Sequence, residues 1–389
     1  MSKFDDVIDR RHTNCIKWDT IEDTYDEKEL LPLWVADMDF KAHQPILDAL
    51  SEVLKQGVLG YTKVPNNLYE AIQNWQKTHH RLLVEKEAIL FSSGVVPSLA
   101  TAIQAYTSPS ESVLICDPVY PPFANVIKQN KRNLVRHALI QRNGHFEIDF
   151  TKMEEQIIAE NVKLLLFCNP HNPGGHVWTK IEIQTLGNLC QKHHVIVISD
   201  EIHQDLVFSP HVFCSFTAAN ELFKGFTVTL TAATKTFNLA GIKNSMVFIP
   251  NQALRQAFVT VQKQNQQTEI NTFGYVGTTV AYQTGAQWLQ ELLTYMEANI
   301  QLTTEFFANE MPQVKVMQPE GTYLMWLDFS NYQMTDQQLQ DTLIHKGKVV
   351  LNSGISFGPA GTQHMRLNFA CSKATLEEGL MRIKKAFQA

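Results

Sequence analysis

The sequence predicts an α/β protein, with a large central domain on a mostly parallel sheet and a smaller α+β domain in the C-terminal part. Three observations predict it. Short strand-like runs alternate with helical patterns through the middle of the chain. Several of those runs are apolar throughout, as in strands covered by helices on both faces. A long amphipathic stretch from about residue 286 then separates them from a second set of strands and a closing helix. The length of 389 residues suits about two domains at ~150 residues each.

The strand candidates of the large domain are "AILFSS" (88–93), "SVLICD" (112–117), "KLLLFCN" (163–169), "VIVISD" (195–200), "FTVTLTA" (226–232) and "SMVFIP" (245–250). Segments such as 179–193 between them have the apolar spacing of helices. Beyond 286, Trp288, Leu289, Leu292, Leu293, Met296 and Ile300 share one helical face. "TYLMWLDF" (322–329) and "HMRLNFA" (364–370) read as strands, and 373–387 as a helix with Leu376, Leu380 and Ile383 inward. The extended "LPLWVADMDF" (31–40) is expected near the seam between the domains. The expected divisions are 1–45 for an N-terminal arm and part of the small domain, 46–285 for the large domain and 286–389 for the small one.

Composition narrows the function. Thirty-three basic against thirty-nine acidic residues give a net charge of −6, with no electrostatic footprint for nucleic acid or an anionic membrane. "MSKFDDVIDRR" lacks the apolar core of a signal peptide, and no run is long enough to span a bilayer. Six scattered cysteines suggest reduced thiols in the cytoplasm, not a disulfide framework or a zinc site. The histidine pairs 79–80 and 193–194 lack metalloprotease spacing, so no metal is expected.

Open α/β sheets bind ligands beyond the carboxyl ends of their strands, so those ends are where chemistry is sought. After 88–93, "SGVVPSLATAI" is a glycine turn into a helix, whose free N–H groups and dipole suit a phosphate. After 112–117, prolines stiffen a loop around Tyr120, which either stacks on a flat ligand or simply packs. "NPHNPGG" (169–175) offers amide groups in a stiff turn. Asp200 ends an apolar run, where a buried carboxylate needs a cation from a salt bridge or from a ligand. Lys235 follows the fifth strand, and Lys243 lies eight residues on. A phosphate cradle, an aromatic ring, amides, a buried carboxylate and a lysine together match pyridoxal 5′-phosphate, for which a lysine and an acidic partner of the ring nitrogen recur. In that reading Lys235 holds the aldehyde and Lys243 supplies charge to the phosphate.

Over nearly its whole length the chain resembles the pyridoxal-phosphate enzymes of fold type I, in the class I/II aminotransferase group. "LPLWVADMDF", "GYTKVP", "CNPHNPGG", "SDEIHQDLVF" and "KTFNLAGIK" are similar to its MalY/PatB branch, the cystathionine β-lyases or C–S lyases. The resemblance implies a large domain with a mostly parallel seven-stranded sheet. It implies Lys235 as the catalytic lysine that binds the cofactor, Asp200 on the ring nitrogen, Asn172 on the phenolic oxygen and Tyr120 stacked on the ring. Val95, Val96 and Lys243 would hold the phosphate, and Tyr61 would reach the phosphate of the partner subunit in a homodimer with shared active sites. Arg366 would grip the substrate α-carboxylate in a bidentate fork, with Ala36 and Tyr323 also at the substrate.

Two positions depart from the wider superfamily. Ala232 stands where a hydroxyl usually helps hold the phosphate, and Thr231 or Thr234 is expected to compensate. His203 stands where aminotransferases place a tyrosine on the phenolic oxygen, a substitution usual in the lyase branch. The expected reaction is elimination of a thiol from cystathionine, cysteine or a related S-substituted cysteine, giving pyruvate and ammonia. Transamination at the same site is the alternative, and a regulatory binding protein with the same fold a lesser one.

Overall fold

Six of the seven strands in the main sheet run parallel, and the strand that runs against them decides where two site residues lie. The structure is a computed structural model, and it describes residues 2–142 and 144–388. The strands are β1 (Ile89–Ser92), β2 (Ser112–Asp117), β3 (Asn133–Ala138), β4 (Val162–Cys168), β5 (Ile196–Asp200), β6 (Thr227–Thr231) and β7 (Ser245–Phe248). Their spatial order is β1-β7-β6-β5-β4-β2-β3, with β7 antiparallel to both neighbours. The carboxyl ends of the parallel strands therefore share one rim with the beginning, not the end, of β7. Lys243 and Ser245 reach that rim for this reason.

The apolar runs are buried on both sides of the sheet. In β4, Leu164 and Leu166 pack into the cluster that holds Leu99, Ile103 and Phe123, while Leu165 and Phe167 pack with Met153, Ile183 and Leu186 on the other face. Helix α1 (Val95–Tyr106) covers the first face and α2 (Lys180–Lys192) the second. A Thr179–Glu182 capping box satisfies the start of α2 on both sides. In β6, Val228 and Leu230 take the apolar face and Thr227, Thr229 and Thr231 the other, all buried. The strand β3, absent from the six candidates, completes the sheet at its edge.

The chain then turns into α3 (Ala286–Glu310), on which Trp288, Leu289, Leu292, Met296 and Ile300 are buried and Leu293 is partly so. A four-stranded antiparallel sheet follows, in the order β8 (Lys315–Met317), β9 (Leu324–Asp328), β11 (His364–Asn368), β10 (Asn352–Ser353). The closing helix α4 spans Lys373–Phe387 with Leu376, Leu380 and Ile383 buried.

The segment 31–40 is stitched to both ends of the molecule. Leu31 and Pro32 pair in parallel with Val349 and Val350. Asn368 Nδ2 donates to the carbonyls of Val35 and Asp37 at 2.6 and 2.7 Å. Asn238 Nδ2 donates to those of Met38 and Phe40, each at 2.9 Å. Behind the segment Asp39 accepts from the fully buried Lys17 at 2.6 Å and from Arg10 at 2.7 Å.

Candidate active site

A cavity of about 490 Å³ opens at the rim of the main sheet. Ten of the anticipated residues line it: Ala36, Val95, Val96, Tyr120, Asn172, Asp200, His203, Thr234, Lys235 and Lys243. They come from separate segments gathered at the strand ends, which is why residues 36 to 243 converge.

Gly94 caps α1, and the N–H groups of Val95 and Val96 in its first turn have no intrahelical acceptor. Gly94 itself is extended, with φ of 167°, so the turn does not require glycine. Thr234 lines the cavity beside these groups, whereas Thr231 is buried in the sheet with its hydroxyl facing the Glu201 carbonyl at 3.4 Å. Of the two threonines expected to compensate for Ala232, only Thr234 lines the cavity. Ser93 and Ser245 add two more hydroxyl-bearing residues at the same end. Neither carried a recognisable signal, since isolated serines are common at strand ends.

Asp200 is buried and accepts one hydrogen bond, from the Ile202 N–H at 3.1 Å. No salt bridge to it exists among the described residues, so the buried ion pair weighed as an alternative is not what holds it. Burial pushes its carboxyl up to about 7, against the pull of the Ile202 N–H and of Lys235. A carboxylate in this state lacks a cation, which a protonated ring nitrogen would supply.

Lys235 sits in a single helical turn, Ala233–Thr236, just past β6. Burial first, and then the charge of Arg366, bring its amine down to about 8, although Asp37 and Asp200 pull the other way. Its Nζ donates to the Ala36 carbonyl at 2.5 Å, and the Tyr323 hydroxyl donates to the same oxygen at 2.8 Å. Tyr323 is buried and meets the ring of His203 edge-on at 5.7 Å. His203 is buried with Nδ1 unpartnered, and burial with the nearby Lys235 and Arg366 charges holds it well below the ordinary histidine range. That environment favours the neutral imidazole.

Arg366 is buried just outside the cavity lining, on β11. Nη1 donates to Asn172 Oδ1 at 2.9 Å, and Nη2 to the Trp34 carbonyl at 2.8 Å and to Asn352 Oδ1. Asn352 and Arg366 are register partners on adjacent strands, so their side chains share a face. No carboxylate pairs with this guanidinium among the described residues, and burial lowers its pKa to about 10. Nε is buried without a partner. This is a correction to a freely offered bidentate fork: Nη2 is already engaged, so a carboxylate must share it with Asn352 or displace that amide. Asn352 comes there through strand register and Trp34 through the stretch after the pair Leu31–Pro32, and neither relation shows as a spacing in the sequence.

Tyr120 lines the cavity and its N–H donates to the Asn172 carbonyl at 3.1 Å, locking the two loops together. Behind Asn172, Gly175 has φ of +70° and a Cβ there would lie 2.7 Å from Pro319 and 2.9 Å from the Gly321 oxygen. Glycine is required at that approach. Tyr61 lies elsewhere: it is fully exposed in a stretch, 54–63, in which every residue is exposed. The structure does not bring it to the cavity of its own chain.

The donor set fits pyridoxal 5′-phosphate. Free helix N–H groups, hydroxyls and Lys243 suit its phosphate, the uncompensated Asp200 its ring nitrogen, and Lys235, its amine lowered to about 8, its aldehyde. The sequence pattern of the family described as "Aminotransferase class I and II" matches residues 28–383. The chain belongs to the class I and II aminotransferase family. Within that family, it is 40% identical to cystathionine β-lyase PatB of Bacillus subtilis (strain 168), over 98% of this chain and 99% of that one. Protein MalY of Escherichia coli (strain K12) is 31% identical over the whole of both chains. Among solved structures, cystalysin from Treponema denticola, which contains a pyridoxal 5′-phosphate cofactor, superposes with a TM-score of 0.97 at 32% identity, covering 100% of this chain and 99% of that one. No helix among the described residues is long and apolar enough to cross a membrane.

Proposed function

We propose that this chain is a pyridoxal-phosphate-dependent carbon–sulfur β-lyase that converts cystathionine, cysteine or a related S-substituted cysteine to pyruvate, ammonia and a thiol or hydrogen sulfide. The observation that carries it is the full-length likeness to a cystathionine β-lyase, joined to a cavity lined by Lys235 and Asp200 with Arg366 buried just outside it. When bound, pyridoxal phosphate supplies an electron sink for a carbanion at the substrate Cα, from which a β-thiolate departs. Lys235, uncharged in part near neutral pH, binds the cofactor and takes the Cα proton. Asp200 would pair with the ring nitrogen and favour its protonated form. Asn172 would meet the phenolic oxygen through Nδ2, because its Oδ1 accepts from Arg366. His203 lines the same cavity, Tyr120 would stack on the ring, and Arg366 would hold the α-carboxylate with Ala36 and Tyr323 close by. Val95, Val96, Thr234 and Lys243 hold the phosphate.

Thiols, with pKa of roughly 8.5, leave far more readily than alkoxides, which favours sulfur substrates once the carbanion forms. The family description favours transamination as the second reading, because the first proton transfer is common to both. Incubation with cystathionine, with cysteine, and with alanine plus an oxo-acid separates them. Pyruvate and sulfide in excess of amino exchange are expected. Exchange that outruns elimination from every sulfur amino acid would replace the lyase reading.

The assembly we propose is a homodimer in which Tyr61 reaches the partner's phosphate. Leu54, Val58 and Leu59 beside it are exposed apolar residues in the same stretch, which supports an interface there. The divisions at residues 45 and 285 and a cytoplasmic location remain part of this proposal. Six free cysteines favour a reducing compartment.

A further inference from the structure

Asp205 lies behind the cavity, five residues after Asp200, and its buried carboxylate accepts three hydrogen bonds. His80 Nε2 approaches at 2.6 Å, Trp75 Nε1 at 2.9 Å and the Thr236 hydroxyl at 2.6 Å. Thr236 is the residue after Lys235. Neither Asp205 nor Thr236 lines the cavity.

We infer that Asp205 is a positioning residue, which fixes the turn that carries Lys235 by holding Thr236 from behind. The turn Ala233–Thr236 has four residues, too few to hold a helical shape without tertiary support. Successive residues on a helix point about 100° apart, so with Lys235 directed into the cavity Thr236 is directed away from it, toward Asp205. The same carboxylate belongs to the loop that begins at Asp200. That loop is closed by the Gln204 N–H on the Glu201 carbonyl and the Leu206 N–H on the His203 carbonyl, each at 2.9 Å. Trp75 and His80 tie it further to the helix Asn66–His80. One buried group thus sets the spacing between the loop with Asp200 and His203 and the turn with Lys235.

The titratable groups that face Asp205 are His80 and His79 of that helix and Tyr282. Burial alone would raise the Asp205 carboxyl. His80 above all, with Thr236 and Trp75, holds it below the usual carboxylate value instead, so it stays charged and accepts all three bonds.

The inference rests on Lys235 as the cofactor's residue, which borohydride fixation in the unchanged enzyme checks separately. The test uses holoenzymes of Thr236→Val, Thr236→Ser and Asp205→Asn. Loss of the hydroxyl in Thr236→Val should lower kcat by about tenfold to a hundredfold with KM changed by less than about threefold, as small misplacement of a catalytic group does. The pH midpoint of the bound cofactor's absorbance change should move by about half a unit or more, because Lys235 then sits differently among its charged neighbours. Thr236→Ser should restore both readouts. If Asp205→Asn folds, it should reproduce the valine variant; if it does not, the Thr236 pair decides. A Thr236→Val enzyme that melts lower yet keeps the original kcat and midpoint overturns the inference, as does a serine variant no better than the valine one.

Discussion

Arg366 Nη1 donates a 2.9 Å hydrogen bond to Asn172 Oδ1, joining β11 of the small sheet to the loop after β4 of the large one. The bond fixes which way the Asn172 amide faces, so Nδ2 is left toward the cavity. A residue expected to hold the substrate is thereby also part of the setting for the cofactor.

Arg366→Ala should therefore do two things. Loss of a charge-assisted carboxylate contact should weaken substrate binding by about 2–5 kcal/mol, read as a raised KM. Release of Asn172 should also shift the absorbance maximum of the bound cofactor. A normal KM would remove Arg366 from the carboxylate role, and a normal spectrum would show that Asn172 is oriented by other means.

Lys235 should be the lysine fixed to the cofactor by borohydride, and labelling of Lys243 would refute the assignment. The pH dependence follows from the lowered amine. An amine attacks an aldehyde only when uncharged, so pyridoxal phosphate should bind the cofactor-free protein faster as pH rises through about 8 and level off above it. A rate still climbing steeply beyond pH 10 would mean that the amine is not depressed.

Asp200→Asn should abolish turnover yet stabilise the cofactor-free protein. The native carboxyl is raised from 3.8 to about 7. Its ionisation in the folded state is costly, so stability present below the unfolded value is lost as pH rises from about 4 through 7. At about 1.4 kcal/mol per pKa unit the gain on substitution is at most ~4 kcal/mol, and larger at pH 8 than at pH 5. Calorimetry of both cofactor-free proteins at the two pH values measures it. A variant less stable than the parent at pH 8 would contradict the burial argument.

Mixing an inactive Tyr61 variant with an inactive Lys235 variant should regenerate part of the activity, because hybrid dimers would contain one intact site. Demonstrated subunit exchange without recovery would show that each chain serves itself.

Much of this was legible in the sequence because burial on both faces leaves a plain mark. The runs that became β4 and β5 are apolar without alternation, and their ends placed Asn172 and Asp200 on one rim. β3 was illegible for the opposite reason. It is an edge strand in which burial alternates and Arg136 and His137 interrupt the apolar pattern, so nothing in "NLVRHA" rises above a polar loop. The reversed direction of β7 leaves no trace in composition either. The place of Asn352 beside Arg366 comes from register between distant strands, and that of Thr234 at the cavity from the turn after β6, while Thr231 is buried within the strand.

The stitching of residues 31–40 has a consequence for how the enzyme comes into being. Val35 and Asp37 find their partner in Asn368, and Leu31 finds its own in Val349. Roughly 330 residues separate those partners, and at about 5–20 residues per second a ribosome needs some 20–70 s to make them. Throughout that interval the carbonyl of Ala36, which holds Lys235, belongs to a segment with no C-terminal anchor. The nascent chain can complete its main sheet long before it can complete its active site, and catalysis begins only when the last strand of the small sheet has emerged.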